Sequence, residues 1–144
     1  MAMNEPHGVR VLRQCLDDFN SHDLQRASRL YRDDVTHSIP ALQVAWHGRE
    51  VRQQALGRIF LASSDIHMRL TSALCEGDRV VGEWIMTGTS ERPFGDLPAT
   101  GRRFQVRGAT CATLSGGRVH HQADYWDLPT VLRQLGLLLP RSSR

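Results

Sequence analysis

The spacing of apolar residues changes once, near residue 62, and that change leaves few architectures open to the chain. Before it, apolar residues recur at the helical period, whereas from residue 66 to residue 127 they alternate, as in strands. In residues 5–19, Val9, Leu12, Leu16 and Phe19 share a face with Cys15 beside them, which predicts an amphipathic first helix. Asn20-Ser21-His22-Asp23 breaks it, and Asp23 caps a predicted short second helix carrying Leu24, Ala27, Leu30 and Tyr31. Residues 34–39 read as a short strand before Pro40, followed by a loop through Trp46 and His47. A third helix is predicted over residues 50–61, with Val51, Ala55, Leu56, Ile59 and Phe60 as its apolar stripe.

Four strands follow, at residues 66–75, 79–89, 103–114 and 118–127. Glu76-Gly77-Asp78 and Ser115-Gly116-Gly117 are tight hairpin turns, and residues 90–101, with Pro93, Gly95, Pro98 and Gly101, form a longer loop. The sheet is therefore mostly antiparallel. Pro129 opens a short last helix carrying Val131, Leu132 and Leu135, and residues 140–144 read as a tail. Helices followed by an antiparallel sheet define an α+β fold with helices on one sheet face. The 144 residues suit one such domain, ordered over about residues 5–138. A strongly twisted sheet curls, and helices on its concave side can enclose a cavity instead of a solid core.

Composition removes several chemistries. All 18 basic residues are arginine, so Schiff-base catalysis, pyridoxal phosphate attachment and the P-loop phosphate grip have no lysine to work with. The arginines are scattered instead of lying in a stripe with aromatics, which argues against nucleic acid as a partner. Cys15, Cys75 and Cys111 are odd in number and lie in apolar segments, the pattern of free thiols in the cytoplasm. The first ten residues hold no apolar signal core, and no run approaches the roughly 20 apolar residues that cross a bilayer, so no membrane role is expected.

Alternation sorts the last strand into His120, Gln122, Asp124 and Trp126 on one face and Val119, His121, Ala123 and Tyr125 on the other. An imidazole, an amide and a carboxylate in a row need either solvent or a polar-lined cavity. In a cavity, Asp124 loses hydration, its pKa rises, and it can take and return a proton; on a wet face it pairs with an arginine such as Arg107. Glu83 is the other strand-centre acid and reads as a surface residue at a dimer contact, paired with arginine, because Trp84 and Met86 take the better core-forming face. His37 and His47 flank the loop before the third helix, where either can line a cavity mouth. No HxH, HExxH or CxxC spacing supplies a metal site, and no GxSxG elbow supplies a serine nucleophile.

Trp84-Ile85-Met86-Thr87-Gly88-Thr89, then residues 94–102 (FGDLPATGR), then Gly117-Arg118-Val119 leading to Asp124-Tyr125-Trp126-Asp127 and Leu132-Arg133-Gln134-Leu135-Gly136, resemble the SnoaL-like polyketide cyclases in order and spacing. The likeness covers nearly the whole chain. It implies a cone-shaped, nuclear transport factor 2-like fold: a curved, mostly antiparallel sheet with three N-terminal helices on its concave face and a short C-terminal helix. It further implies a cofactor-free enzyme of a natural-product or antibiotic pathway, in which the sheet aspartate, here Asp124, acts as acid and base on an aromatic or polycyclic substrate. Pocket walls would include Trp84, Met86, Phe104, Thr110, Gln122 and Trp126, with Thr110 standing where those cyclases carry a histidine. A homodimer through the opposite sheet face, involving Tyr125, Ile85 and Cys111, is also implied. The same fold hosts hydroxylation components, isomerases, limonene-type epoxide hydrolases and non-catalytic binding domains. The epoxide hydrolases need an Arg-x-Asp pair where this chain has Trp84-Ile85-Met86.

Overall fold

A computed structural model describes residues 4–140; the end of the expected tail, residues 141–144, lies outside them. Helix α1 (His7–Asn20) is followed by a single 3-10 turn (Arg26–Ser28), strand β1 (Tyr31–Ile39), a second 3-10 turn (Pro40–Leu42), β2 (Val44–His47) and α2 (Arg49–Ala62). Strands β3 (His67–Glu76), β4 (Arg79–Thr89), β5 (Arg103–Ser115) and β6 (Arg118–Trp126) come next, and α3 (Leu128–Gln134) closes the order. Among the described residues no helix is long and apolar enough to cross a membrane.

The six strands form one sheet in the order β2-β1-β6-β5-β4-β3. Four of its pairings are antiparallel and one, β1 with β6, is parallel. The α+β architecture and the mostly antiparallel sheet are those the alternation predicts. Three local differences have physical causes. The second of the three N-terminal helices shrinks to a turn with Gln25 at its N-cap and no side-chain cap: Asp23 accepts from the Arg26 N–H at 3.1 Å ahead of it, and Ser28 turns its hydroxyl back onto the Leu24 carbonyl. A helix this short is marginal by itself, and Tyr31 gains more by entering β1 beside Val119. The loop through Trp46 and His47 is instead the edge strand β2, whose Trp46 is buried against Ile39 and Ala55.

The third difference bears on the site. Leu114 pairs with Val119 and Thr113 with His121, so His120 is an extra residue in β6, a bulge. Strict alternation therefore fails at this point. Val119, not His120, turns inward with Gln122, Asp124 and Trp126, while His120 packs its ring 4.2 Å from that of His121 and approaches Asp34.

One end of the curled sheet is solid. There Val9 and Leu12 of α1 pack on Val35, Val80, Leu114 and Val119. At the other end three smaller apolar clusters, around Trp84, Trp46 and Val131, through which α2 and α3 also pack on the strands, surround a hollow. Gly48 caps α2 with φ +97°, a conformation L side chains rarely adopt, and its N–H bonds the Val35 carbonyl at 2.7 Å, which fixes how α2 leaves the sheet.

Candidate functional site

The hollow is a cavity of about 160 Å³ whose lining is mostly aromatic and aliphatic. Residues 90–101 contribute Phe94, Leu97 and Pro98 to its rim. Asp124 is in the wall, 8% exposed, at a point of β6 flanked by β1 and β5. Register places Thr110 directly opposite Asp124, and the parallel pairing sets His37 beside Gln122, two residues from Asp124 on the same face.

The carboxylate accepts three hydrogen bonds. His37 Nε2 lies 2.7 Å from Oδ2; Thr110 donates to Oδ1 at 2.7 Å and Gln122 donates to Oδ1 at 2.9 Å. Each donor is itself held. Trp84 Nε1 donates to the Thr110 hydroxyl at 2.9 Å, and the Tyr31 hydroxyl donates to Gln122 Oε1 at 2.7 Å. Arg52, buried on α2, donates from Nε to His37 Nδ1 at 3.0 Å and places its guanidinium 3.5 Å over the Tyr31 ring. Arg52, His37, Asp124, Gln122 and Tyr31 thus form a closed circuit, which fixes each side chain by two contacts.

Burial pushes the Asp124 carboxyl up, but the hydrogen bonds that His37, Thr110 and Gln122 make to its charged form outweigh it, leaving the pKa below its ordinary value. This corrects the raised pKa expected from burial alone: donors to the charged form win over lost hydration. Burial holds the Tyr31 phenol well above its usual range, with Arg52 opposing, so Tyr31 serves as a donor. Cys15, also in the cavity wall, is pushed up to about 12 by burial; it is a thiol and not a thiolate nucleophile.

Of the residues singled out from sequence, Trp84, Met86, Phe104, Gln122, Trp126, His37 and Asp124 all line the cavity. Two do not. Thr110 is 0% exposed and sits behind Asp124, bonding it without reaching the hollow. His47 is exposed, because alternation along β2 turns Trp46 inward and His47 out. Asp124 does not pair with Arg107, which is exposed, and Glu83 is a surface residue, as expected, whose carboxylate accepts from Ser72 at 2.8 Å within the chain. Arg52 and Tyr31 were absent from the sequence reading of the site. A signal for Arg52 existed: with Ala55, Leu56 and Ile59 it makes an i, i+3, i+4, i+7 stripe, and Val51, the apolar choice one residue earlier, is 46% exposed. Among the described residues, no three His, Cys, Asp or Glu side chains gather as metal ligands.

A family model described as SnoaL-like polyketide cyclase matches residues 9–135. No curated protein matches the chain. Solved structures do. TsrD from Streptomyces laurentii is 26% identical, with 93% of this chain and 98% of that one covered and a TM-score of 0.81. A protein of ketosteroid isomerase-like fold from Catenulispora acidiphila, in complex with trimethylamine, is 22% identical over 90% of this chain and 97% of its own, with a TM-score of 0.79. IdmH, a candidate polyketide cyclase from Streptomyces antibioticus, is 24% identical over 90% and 98%, with a TM-score of 0.77.

Proposed function

Because the chain belongs to the SnoaL-like polyketide cyclase family, we propose that it closes a ring in an aromatic polyketide intermediate by cofactor-free acid/base chemistry, with Asp124 moving the proton. The observation that carries this reading is a carboxylate in the wall of an apolar cavity, held by three donors. An ionised carboxylate offers about four acceptor positions, so one remains on Oδ2 for a substrate proton.

Asp124 takes the proton from a carbon between two carbonyls, and the electron pair delocalises into the substrate as an enolate. That carbon then bonds to a second carbonyl carbon, whose oxygen becomes an alkoxide. The Asp124 carboxyl returns its proton to that oxygen, so the aldol closure is an isomerisation with no other reactant. A low-pKa base is weak, so the enolate must be stabilised by the surroundings for the step to be fast. Volume limits what enters. A cavity of about 150 Å³ holds a benzene-sized guest, so about 160 Å³ admits the reacting ring and leaves the rest of a larger substrate at the rim formed by residues 90–101.

The test replaces Asp124 by asparagine and follows conversion of aromatic β-dicarbonyl intermediates by mass and absorbance. Turnover should fall by about 10²-fold or more with little change in ligand affinity. One observation favours a second reading: His37, Thr110 and Gln122 already occupy three acceptor positions of Asp124, an arrangement that suits a carboxylate which only orients a bound ligand. Turnover that survives Asp124→Asn would favour that second reading.

The same reading includes a homodimer through the outer sheet face. There Leu74, Val81, Cys111 and Ala123 stand in one cross-strand row, and Tyr125 is 50% exposed.

A further inference from the structure

Two charged groups stand in the cavity wall without touching, the Asp124 carboxylate and the Arg52 guanidinium. The His37 ring lies between them, 2.7 Å from one and 3.0 Å from the other. A buried guanidinium usually grips a carboxylate directly and in bidentate fashion. Arg52, 3% exposed, instead spends Nε on an imidazole nitrogen and Nη1 on the Ala27 carbonyl at 2.9 Å, with its face on Tyr31.

That choice has one electronic consequence. A guanidinium carries five N–H donors and no acceptor, so the His37 nitrogen it meets must present a lone pair. A proton on Nδ1 would set two donors against each other at 3.0 Å. The ring proton is therefore on Nε2, where it is donated to Asp124 Oδ2. From the elements packed around it, the ring meets Arg52 of α2, Asp124 of β6 and the edge of Trp46 of β2, the last at 5.0 Å between centroids.

We propose that Arg52 is a positioning residue that fixes His37 as its Nε2–H tautomer, so that the ring donates to Asp124 and holds a positive charge one ring away from the reacting proton. When Asp124 is protonated, the negative charge moves to the substrate enolate, and Arg52 stays in place to stabilise it without any group having to reorient. This benefit rests on the acid/base reading of Asp124; the tautomer does not, and it is measured on the resting protein.

The test is a long-range proton–nitrogen NMR spectrum of the 15N-labelled full chain at neutral pH, with the His37 ring assigned by its loss in His37→Asn. The expected pattern is an unprotonated Nδ1 and a protonated Nε2. In Arg52→Met, which keeps length and removes the donor, the Nδ1 signal should shift toward a protonated or exchanging nitrogen, and Arg52→Lys should restore part of the original pattern. A proton on Nδ1 in the unmutated chain overturns the proposal, and this spectrum decides even if Arg52→Met does not fold. An unchanged His37 spectrum in a folded Arg52→Met also overturns it. If the tautomer is as stated but Asp124→Asn keeps its turnover, the acid/base reading fails and the assignment of Arg52 stands.

Discussion

Asp18, like Asp124, is a buried carboxylate, but it is held by arginines instead of histidine. It is 1% exposed and accepts from Arg29, Arg26 and Gln14. Burial raises its carboxyl pKa, and the bonds from Arg29, Gln14 and Arg26 lower it by more, so the folded value lies below the ordinary one. A depressed folded pKa means stability that is present above the unfolded value, about 3.9, and is lost as pH falls through the folded value. The Arg26 and Arg29 side chains are 46% and 54% exposed, so solvent screens the pairs. Asp18→Asn should therefore cost about 1–2 kcal/mol in urea unfolding at pH 7, and the gap between variant and parent should close below about pH 4. Asp124 was legible as a site residue because a carboxylate among inward strand positions is out of place. His37 was legible as a cavity residue but not as the partner of Asp124, since it lies 87 positions away in the chain and meets Asp124 only through the parallel β1–β6 register. Nothing in local spacing encodes that register.

At the level of strands, β4 and β5 carry a constraint that one glycine expresses. Gly108 pairs with Trp84, and a Cβ there would run into the Trp84 indole and the Tyr125 carbonyl. The indole has no free direction to yield, since its N–H holds Thr110, which holds Asp124. Gly108→Ala should destabilise by about 1–3 kcal/mol and alter the near-UV circular dichroism of Trp84, because overpacking here acts along the chain of bonds to the site. The hairpins at residues 77 and 116 and the four long strands were readable from turn residues and alternation. The His120 bulge was not, because a bulge leaves composition unchanged and only shifts phase. The phase of α2 is hidden for a related reason: burying an arginine is costly unless it is bonded, so an apolar stripe points to Val51, whereas the buried, bonded residue is Arg52.

For the whole molecule, the outer face is the counterpart of the cavity. Tyr125 and the row from Leu74 to Ala123 leave apolar surface in water, which an isologous contact would cover. Tyr125→Arg should convert the proposed dimer to monomer in sedimentation velocity while leaving the His37 spectrum unaltered, since Tyr125 points away from the cavity. The overall α+β plan was legible because the change of period near residue 62 marks off the four long strands, to which β1 and β2, lying before α2, add the remaining edge of the sheet. The hollow could be anticipated but not sized, since its volume depends on how far α2 and α3 stand from the strands. Trp84, Met86, Phe104 and Trp126 in its lining present apolar surface whose removal from water by a guest would contribute roughly 25 cal/mol per Å². A flat apolar guest would serve as the last piece of the interior, so the persistence of the folded protein would follow the supply of the molecule it handles.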